Sequence, residues 1–305
     1  MAPVAESRQP HAPIRVAAAQ IDTAYGDIDT NVEKHLTHIS AAKAAGVRLL
    51  VFPELSLCGH SAGKDLLRLA MRPDDRVFAT LAEASAGIHT VFGFIEEAPG
   101  GQFYNSTATV TNGRTVHIHR KAQLATYGKL KDGLYYAPGT ELGSFALDAR
   151  WQVATPICAD LWNPAIVHTL ACSGATLLAA SISSAREAVG EGFDNPAGWD
   201  INLRFYALTY GVGIVMANRV GTEGMMSFWG GSRILNPFGQ TVAMSAGTGE
   251  ELVVGELDYE AVRRARFLLP TVRDARAFAA RGMPGSREAT LAVSNGAATE
   301  TGNPQ

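Results

Sequence analysis

Apolar residues along this chain come either in short unbroken runs or in longer stretches spaced three and four apart. The run from Ile14 to Gln20 is apolar over most of its length, the pattern of a strand buried on both faces. Asp29-Thr30-Asn31 then supplies an N-cap, and Val32, Leu36, Ile39, Ala42 and Ala45 recur at helical spacing up to Gly46. Val47 to Phe52 predicts a second strand. Pro53-Glu54 ends it, which places the Glu54 carboxylate at a strand's carboxyl end. Arg76 to Ser85 predicts a helix and Thr90 to Ile95 a strand. Asn105 to His119 predicts a hairpin turning at Asn112-Gly113, a pair suited to the left-handed backbone of a tight turn.

The same order then recurs. Ala165 to Ser173 is helical, Gly174 to Leu178 echoes Gly46 to Leu50, and Gly213 to Ala217 echoes the strand at Thr90. Gly231 to Val242 echoes the hairpin from Asn105 to Val116 at a nearly constant offset. Gly230-Gly231-Ser232 belongs to that second hairpin and fits no P-loop spacing, so it reads as a turn. A duplicated unit of alternating strands, helices and hairpins buries its sheets by packing them face to face with helices outside. The predicted class is α/β, a four-layer α-β-β-α sandwich with an internal pseudo-two-fold repeat. It occupies one domain, residues 14–281, between a disordered arm at 1–13 and a disordered tail at 282–305 rich in Gly, Ala, Ser and Thr.

Composition narrows the class further. The chain has 305 residues, 47% hydrophobic and 18% charged, as a soluble globular protein with a large core has. A formal net charge of −3 predicts neither nucleic acid nor an anionic membrane as partner. Cys58, Cys158 and Cys172 are too few for a disulfide framework, which predicts a reducing, cytoplasmic setting. No apolar run reaches the roughly 18 to 20 residues of a membrane span, and the first residues carry no apolar signal segment.

The candidate chemistry centres on Thr155-Pro156-Ile157-Cys158-Ala159-Asp160-Leu161-Trp162. An apolar run from Trp151 stops at the cysteine, and the polar residues after it lead into a helix, so the thiol sits on a strand-to-helix turn. Backbone N–H groups at such a turn favour a thiolate and a developing oxyanion. A thiol with an ordinary pKa of about 8.5 is mostly protonated at neutral pH and needs a base or a cation. Three sets of helpers compete. His168 lies too far along the helix to bend back, and His117 and His119 share one face of a solvated hairpin with nothing marking either as a base. The His117-x-His119 pair also has ligand spacing, yet no Cys or carboxylate cluster completes a metal site. Glu54 and Lys121 both stand at strand exits, where a carboxylate beside an ammonium can move protons while the ammonium stabilises negative charge. Cys58, close after Glu54, reads as a buried spectator, and Cys172 as part of a helix's apolar face.

Val51-Phe52-Pro53-Glu54, His119-Arg120-Lys121 and Ile157-Cys158-Ala159-Asp160, in this order, resemble the three signature blocks of the nitrilase, or carbon-nitrogen hydrolase, superfamily. The resemblance spans Ile14 to Leu257. It implies Glu54 as general base, Lys121 as electrophilic stabiliser and Cys158 as the nucleophile of a thioester intermediate, with the oxyanion held by Lys121 and the backbone N–H of Ala159. In this family a second acid stands seven residues before the glycine of a Tyr-Phe-x-Pro-Gly block. Here that block is Tyr135-Tyr136-Ala137-Pro138-Gly139, and the position holds Asp132, one methylene shorter. The resemblance places substrate contacts at Tyr127, Trp162, Ser183, Ser184, Phe193 and Trp199. The polar stretch from Arg186 to Gly198 reads as a flexible surface loop more readily than as a lid.

Cys158-Ala159-Asp160 matches neither the Cys-Trp-Glu usual in true nitrilases nor the Cys-Asn-Asp of carbamoylases. Leu124-Ala125-Thr126-Tyr127-Gly128 and Cys158-Ala159-Asp160-Leu161-Trp162 are most similar to segments of the glutamine-hydrolysing domain of glutamine-dependent NAD synthetase, though a synthetase domain is not expected with it. The expectation is a freestanding amidase cleaving an amide or carbamoyl C–N bond, without cofactor or metal, assembled as a homodimer or larger oligomer. A nitrilase acting on nitriles is the alternative reaction, and a catalytically inactive binding protein on the same fold the alternative of another class.

Overall fold

The computed structural model describes residues 12–61 and 65–280. The arm expected at 1–13, apart from residues 12–13, and the whole tail expected at 282–305 lie outside the described residues. The first half runs β1 (Ile14–Gln20), α1 (Ile28–Ala44), β2 (Leu49–Val51), α2 (Leu66–Leu69), α3 (Arg76–Ala84), β3 (His89–Ala98), β4 (Gln102–Thr111) and β5 (Arg114–Arg120). The second runs β6 (Phe145–Ala146), β7 (Gln152–Ala154), α4 (Pro164–Cys172), β8 (Leu177–Ile182), α5 (Asn195–Tyr210) and β9 (Gly213–Asn218). The hairpin β10 (Val220–Glu223) and β11 (Met226–Trp229), then β12 (Arg233–Leu235), β13 (Thr241–Met244), β14 (Glu251–Leu257), α6 (Tyr259–Leu268) and α7 (Thr271–Ala280) complete it.

Two six-stranded sheets result, in the orders β14-β1-β2-β3-β4-β5 and β6-β7-β8-β9-β12-β13. Read in these directions, neighbouring strands pair antiparallel, parallel, parallel, antiparallel, antiparallel in both sheets. That shared sequence of orientations is the duplication expected from the repeat. One apolar layer, including Val16, Leu49, Val91, Val153, Leu177 and Val215, fills the space between the sheets. α1 and α3 cover the outer face of the first sheet over Ile39, Leu50, Phe78 and Phe92, while α4 and α5 cover the second over Val167, Leu178, Leu203 and Ile214. The chain is therefore an α-β-β-α sandwich.

Local chemistry explains the boundaries. The Asp27 side chain caps α1 by accepting from the Thr30 N–H at 3.1 Å, and Asn31, His35, Ile39 and Ala42 form its buried stripe. Asn112-Gly113 makes the β4–β5 turn with φ of 47° and 77°. The stretch from Arg186 to Gly198 differs from the expectation: α5 begins inside it, because Asp194 caps Ala197 N–H at 3.1 Å and Pro196 occupies the first turn. His117 and His119 are not on a solvated face either. The second sheet covers them, leaving His119 3% exposed and the His117 ring tilted against Phe145 with centroids 5.7 Å apart.

The parallel strands aim their carboxyl ends at one edge of the sandwich, and the sheets are tied together there. Ser181 Oγ donates to Phe52 O at 2.8 Å, and Glu54 N donates to Ile182 O at 3.3 Å. Leu55, with φ of 52°, turns the chain back over β3, where only a glycine leaves room. A methyl on Gly93 would strike the Leu55 nitrogen and stand 2.8 Å from Pro53 O and 2.9 Å from the Glu54 carbonyl carbon. Gly93→Ala is expected to lower stability by about 1–3 kcal/mol, measured as a fall in denaturant midpoint. An unchanged midpoint would contradict the close packing.

Candidate active site

Glu54, Lys121, Asp132 and Cys158 meet at the carboxyl edge of the two sheets. Lys121 leaves β5 and is 2% exposed, far from the usual fate of a lysine. Its Nζ lies 2.6 Å from Glu54 Oε1 and 2.7 Å from Asp132 Oδ2. Burial works against the ammonium, but the Asp132 and Glu54 carboxylates outweigh it and hold Lys121 well above its ordinary range. Burial likewise opposes the Asp132 charge; the Lys121 ammonium and the Ala125 N–H, at 3.1 Å, overcome it and lower this carboxyl. Although one methylene shorter than the glutamate of the family pattern, Asp132 reaches the ammonium.

Glu54 is saturated with donors. Besides Lys121, Oε1 accepts from Asn105 Nδ2 at 2.8 Å, and Oε2 accepts from Ser183 N–H at 3.0 Å. Its three partners come from β4, the end of β5 and the end of β8, so both sheets aim this carboxylate.

Cys158 opens a five-residue 3-10 helix, Cys158–Trp162, with φ of 41°. A left-handed backbone is costly for a residue carrying a Cβ, and it persists where surrounding contacts enforce it. Asp160 enforces it here. Its carboxylate accepts from Ile157 N–H at 2.9 Å, His119 Nε2 at 2.8 Å, Ala122 N–H at 2.9 Å and Gln123 N–H at 2.7 Å. One fully buried side chain thus clips the cysteine turn to the residues flanking Lys121. The Ala159 N–H lies in the first turn of the short helix, where no carbonyl of that helix is available to it.

Burial pushes the Cys158 thiol well above its ordinary range, and Glu54 adds to this, while Lys121 acts in the opposite sense. A thiolate would join two carboxylates facing a single ammonium, which disfavours it. The space over Cys158 is narrow, about 20 Å³, and a wider cavity of about 410 Å³ opens beside it. His60, Leu130 and Asp132 line both, and Cys158 lines only the first.

Of the residues expected at the substrate, Tyr127, Trp162, Ser183, Ser184 and Trp199 line the narrow cleft, and Phe193 packs edge-on against Trp162 at 5.9 Å. Ser184 Oγ accepts from Trp199 Nε1 at 3.0 Å and Asn195 Nδ2 at 2.9 Å, which fixes that wall. Ala188 and Val189, from the supposed surface loop, close the opposite side, with Lys129 N–H donating to Ala188 O at 2.9 Å. Sequence reasoning missed His60, Asn105 and Asn195 and gave Asp160 no role. Cys58 is buried and away from the cleft, and His168 and Cys172 sit together, 3.7 Å apart, on α4. Among the described residues no cluster of three or more His, Cys, Asp or Glu is arranged to hold a metal, and no helix is long and apolar enough to cross a membrane.

Residues 15–267 match the family described as carbon-nitrogen hydrolase. The chain belongs to that family. Among its carbon-nitrogen hydrolase relatives is the glutamine-dependent NAD(+) synthetase of Thermotoga maritima, 29% identical over 264 residues, 85% of this chain and 45% of the synthetase. The chain thus spans about half the length of the synthetases it matches. A nitrilase from Pyrococcus abyssi is 28% identical over 259 residues, covering 83% of this chain and 93% of the nitrilase. The family fold is shared with a variant of the Nesterenkonia sp. AN1 amidase carrying the acetamide moiety of fluoroacetamide at its active-site cysteine. That structure superposes with a TM-score of 0.74 at 22% identity, covering 91% of this chain and 98% of the amidase.

The raised Cys158 pKa has a direct spectroscopic consequence. Because the folded site disfavours the thiolate, the ultraviolet thiolate absorbance of wild type minus Cys158→Ala is expected to stay flat through the ordinary thiol range near pH 8.5 and to rise only at higher pH. A thiolate step near neutrality would contradict the resting thiol.

Proposed function

We propose that the chain is an amidase-type carbon-nitrogen hydrolase, cleaving a non-peptide C–N bond of a small amide or carbamoyl compound through a Cys158 thioester. The observation carrying this is the buried Lys121 ammonium fastened between Glu54 and Asp132 beside the Cys158 turn. As the sulfur attacks the carbonyl carbon, its proton passes to Glu54, and the carbonyl π pair moves onto oxygen. The Lys121 ammonium and the Ala159 N–H stabilise that oxyanion. Collapse breaks the C–N bond, and the leaving nitrogen takes the proton from Glu54. Water, deprotonated by Glu54, then attacks the thioester, and the departing sulfur recovers the proton as the acid leaves. Asp132 keeps Lys121 charged and in place throughout.

The adduct on the active-site cysteine of the Nesterenkonia amidase supports the assignment of the nucleophile. Nitrilase relatives keep a nitrile substrate as the second reading, with a thioimidate in place of the tetrahedral amide adduct. The full set of hydrogen-bonded groups around Glu54 argues against an inactive binding protein.

The test is turnover of matched amides and nitriles by wild type and by Cys158→Ala, Glu54→Ala and Lys121→Ala. Amide hydrolysis is expected in the wild type, with losses of roughly 10²- to 10⁴-fold or more in each variant. Retained turnover in the cysteine variant would overturn the proposal, and exclusive nitrile turnover would favour the second reading.

A further inference from the structure

β4 carries an unusual row of side chains. Its even-numbered residues Ala108 and Val110 face α1 and α3, so Asn105, Thr107, Thr109 and Thr111 face the second sheet. All four are at most 3% exposed. Each has a side-chain oxygen without a hydrogen-bond partner among the described residues: Asn105 Oδ1 and the Oγ1 atoms of Thr107, Thr109 and Thr111. His117, which pairs with Thr109 across β5, leaves its Nε2 buried and unpartnered, and Thr155, just past β7, leaves its Oγ1 so. The four β4 groups and His117 beside them are far from the near-complete pairing expected of buried polar atoms. An apolar residue at each place would avoid the cost of unmet hydrogen bonds.

The row has an order. Asn105, whose Nδ2 holds Glu54 at 2.8 Å, is at its inner end, and Thr111 adjoins the exposed Asn112-Gly113 turn at its outer end. Side chains two apart on a strand stand about 6.8 Å from each other. Two hydrogen bonds through one water span about 5.6 Å, so small side-chain rotations let single waters bridge successive members. Buried waters of this kind sit where two to four polar groups converge.

We infer that the seam along Asn105, Thr107, Thr109 and Thr111 binds a file of water molecules running from the hairpin end of the sandwich to Glu54. Resting on the proposed thioester chemistry, the file supplies the water of the second half-reaction. The geometry of the cleft gives the reason: its roughly 20 Å³ over Cys158 holds little more than one small group, and an acyl chain on the sulfur fills it from the mouth. Water arriving behind Glu54 does not have to pass the acyl group.

The test uses the full chain with Thr109→Val, which keeps the volume and removes the hydroxyl, and Thr109→Ser, which restores it. Crystals of the wild type are expected to show ordered waters bridging the row, broken at Thr109→Val. With a simple amide, deacylation in Thr109→Val is expected to slow roughly two- to tenfold, the span of one net hydrogen bond, with acyl-enzyme accumulating and Thr109→Ser close to wild type. A dry seam, with hydroxyls bonded directly to one another and a Thr109→Val variant at least as stable as wild type, overturns the inference. Bridging waters with unchanged deacylation overturn the supply role. A wild type that forms no Cys158 adduct refutes the thioester instead, while the waters and the unfolding midpoint still report on the seam.

Discussion

The Lys121 ammonium, buried between the Glu54 and Asp132 carboxylates, is the interaction on which the rest of the site depends. A lone buried charge would cost several kcal/mol, and two contacts of 2.6 and 2.7 Å are what hold this one. Withdrawing one carboxylate from such a cluster typically costs about 3–5 kcal/mol, because the remaining charges lose their partner without regaining water. The arrangement also bears on the sulfur: two negative groups against one positive group disfavour a standing thiolate at Cys158.

The cluster exists because three strand ends and one strained turn are brought to one edge of the sandwich. Gly93 lets the Glu54 turn lie directly on β3, and Ser181 Oγ bonds Phe52 O across the sheets. Asp160 joins the Lys121 segment to the Cys158 turn through four hydrogen bonds from one carboxylate. The left-handed Cys158 is thereby supported from outside its own backbone. The walls follow the same logic: Trp199 and Asn195 converge on Ser184, and Ala188 and Val189 are locked against the Tyr127-Gly128 turn.

Much of this was legible in the sequence because it is written in local pattern. Apolar run lengths marked β1, β3 and β9, Pro53 marked the end of β2, and Asn112-Gly113 marked the hairpin. The repeated order of elements gave the sandwich, and the three signature blocks gave the family. What stayed hidden is tertiary. α5 starts inside a polar stretch whose capping residues, Asp194 and Pro196, look like loop residues until the apolar face behind them is known. His117, His119 and the threonines of β4 alternate like a solvated hairpin face, and only the second sheet, distant in sequence, buries them. Asp160 and Asn105 act through partners some 40 to 50 residues away, which no spacing rule connects.

The central claim is that Cys158 carries the acyl group of a small amide during turnover. Acid-quenched wild-type enzyme, taken during turnover of a simple amide and analysed by peptide mass spectrometry, measures this directly. The account predicts a mass increase equal to the acyl group on the peptide containing Cys158, appearing as ammonia or amine is released and vanishing once substrate is consumed. Turnover without any adduct, or an adduct confined to Cys58 or Cys172, would contradict it.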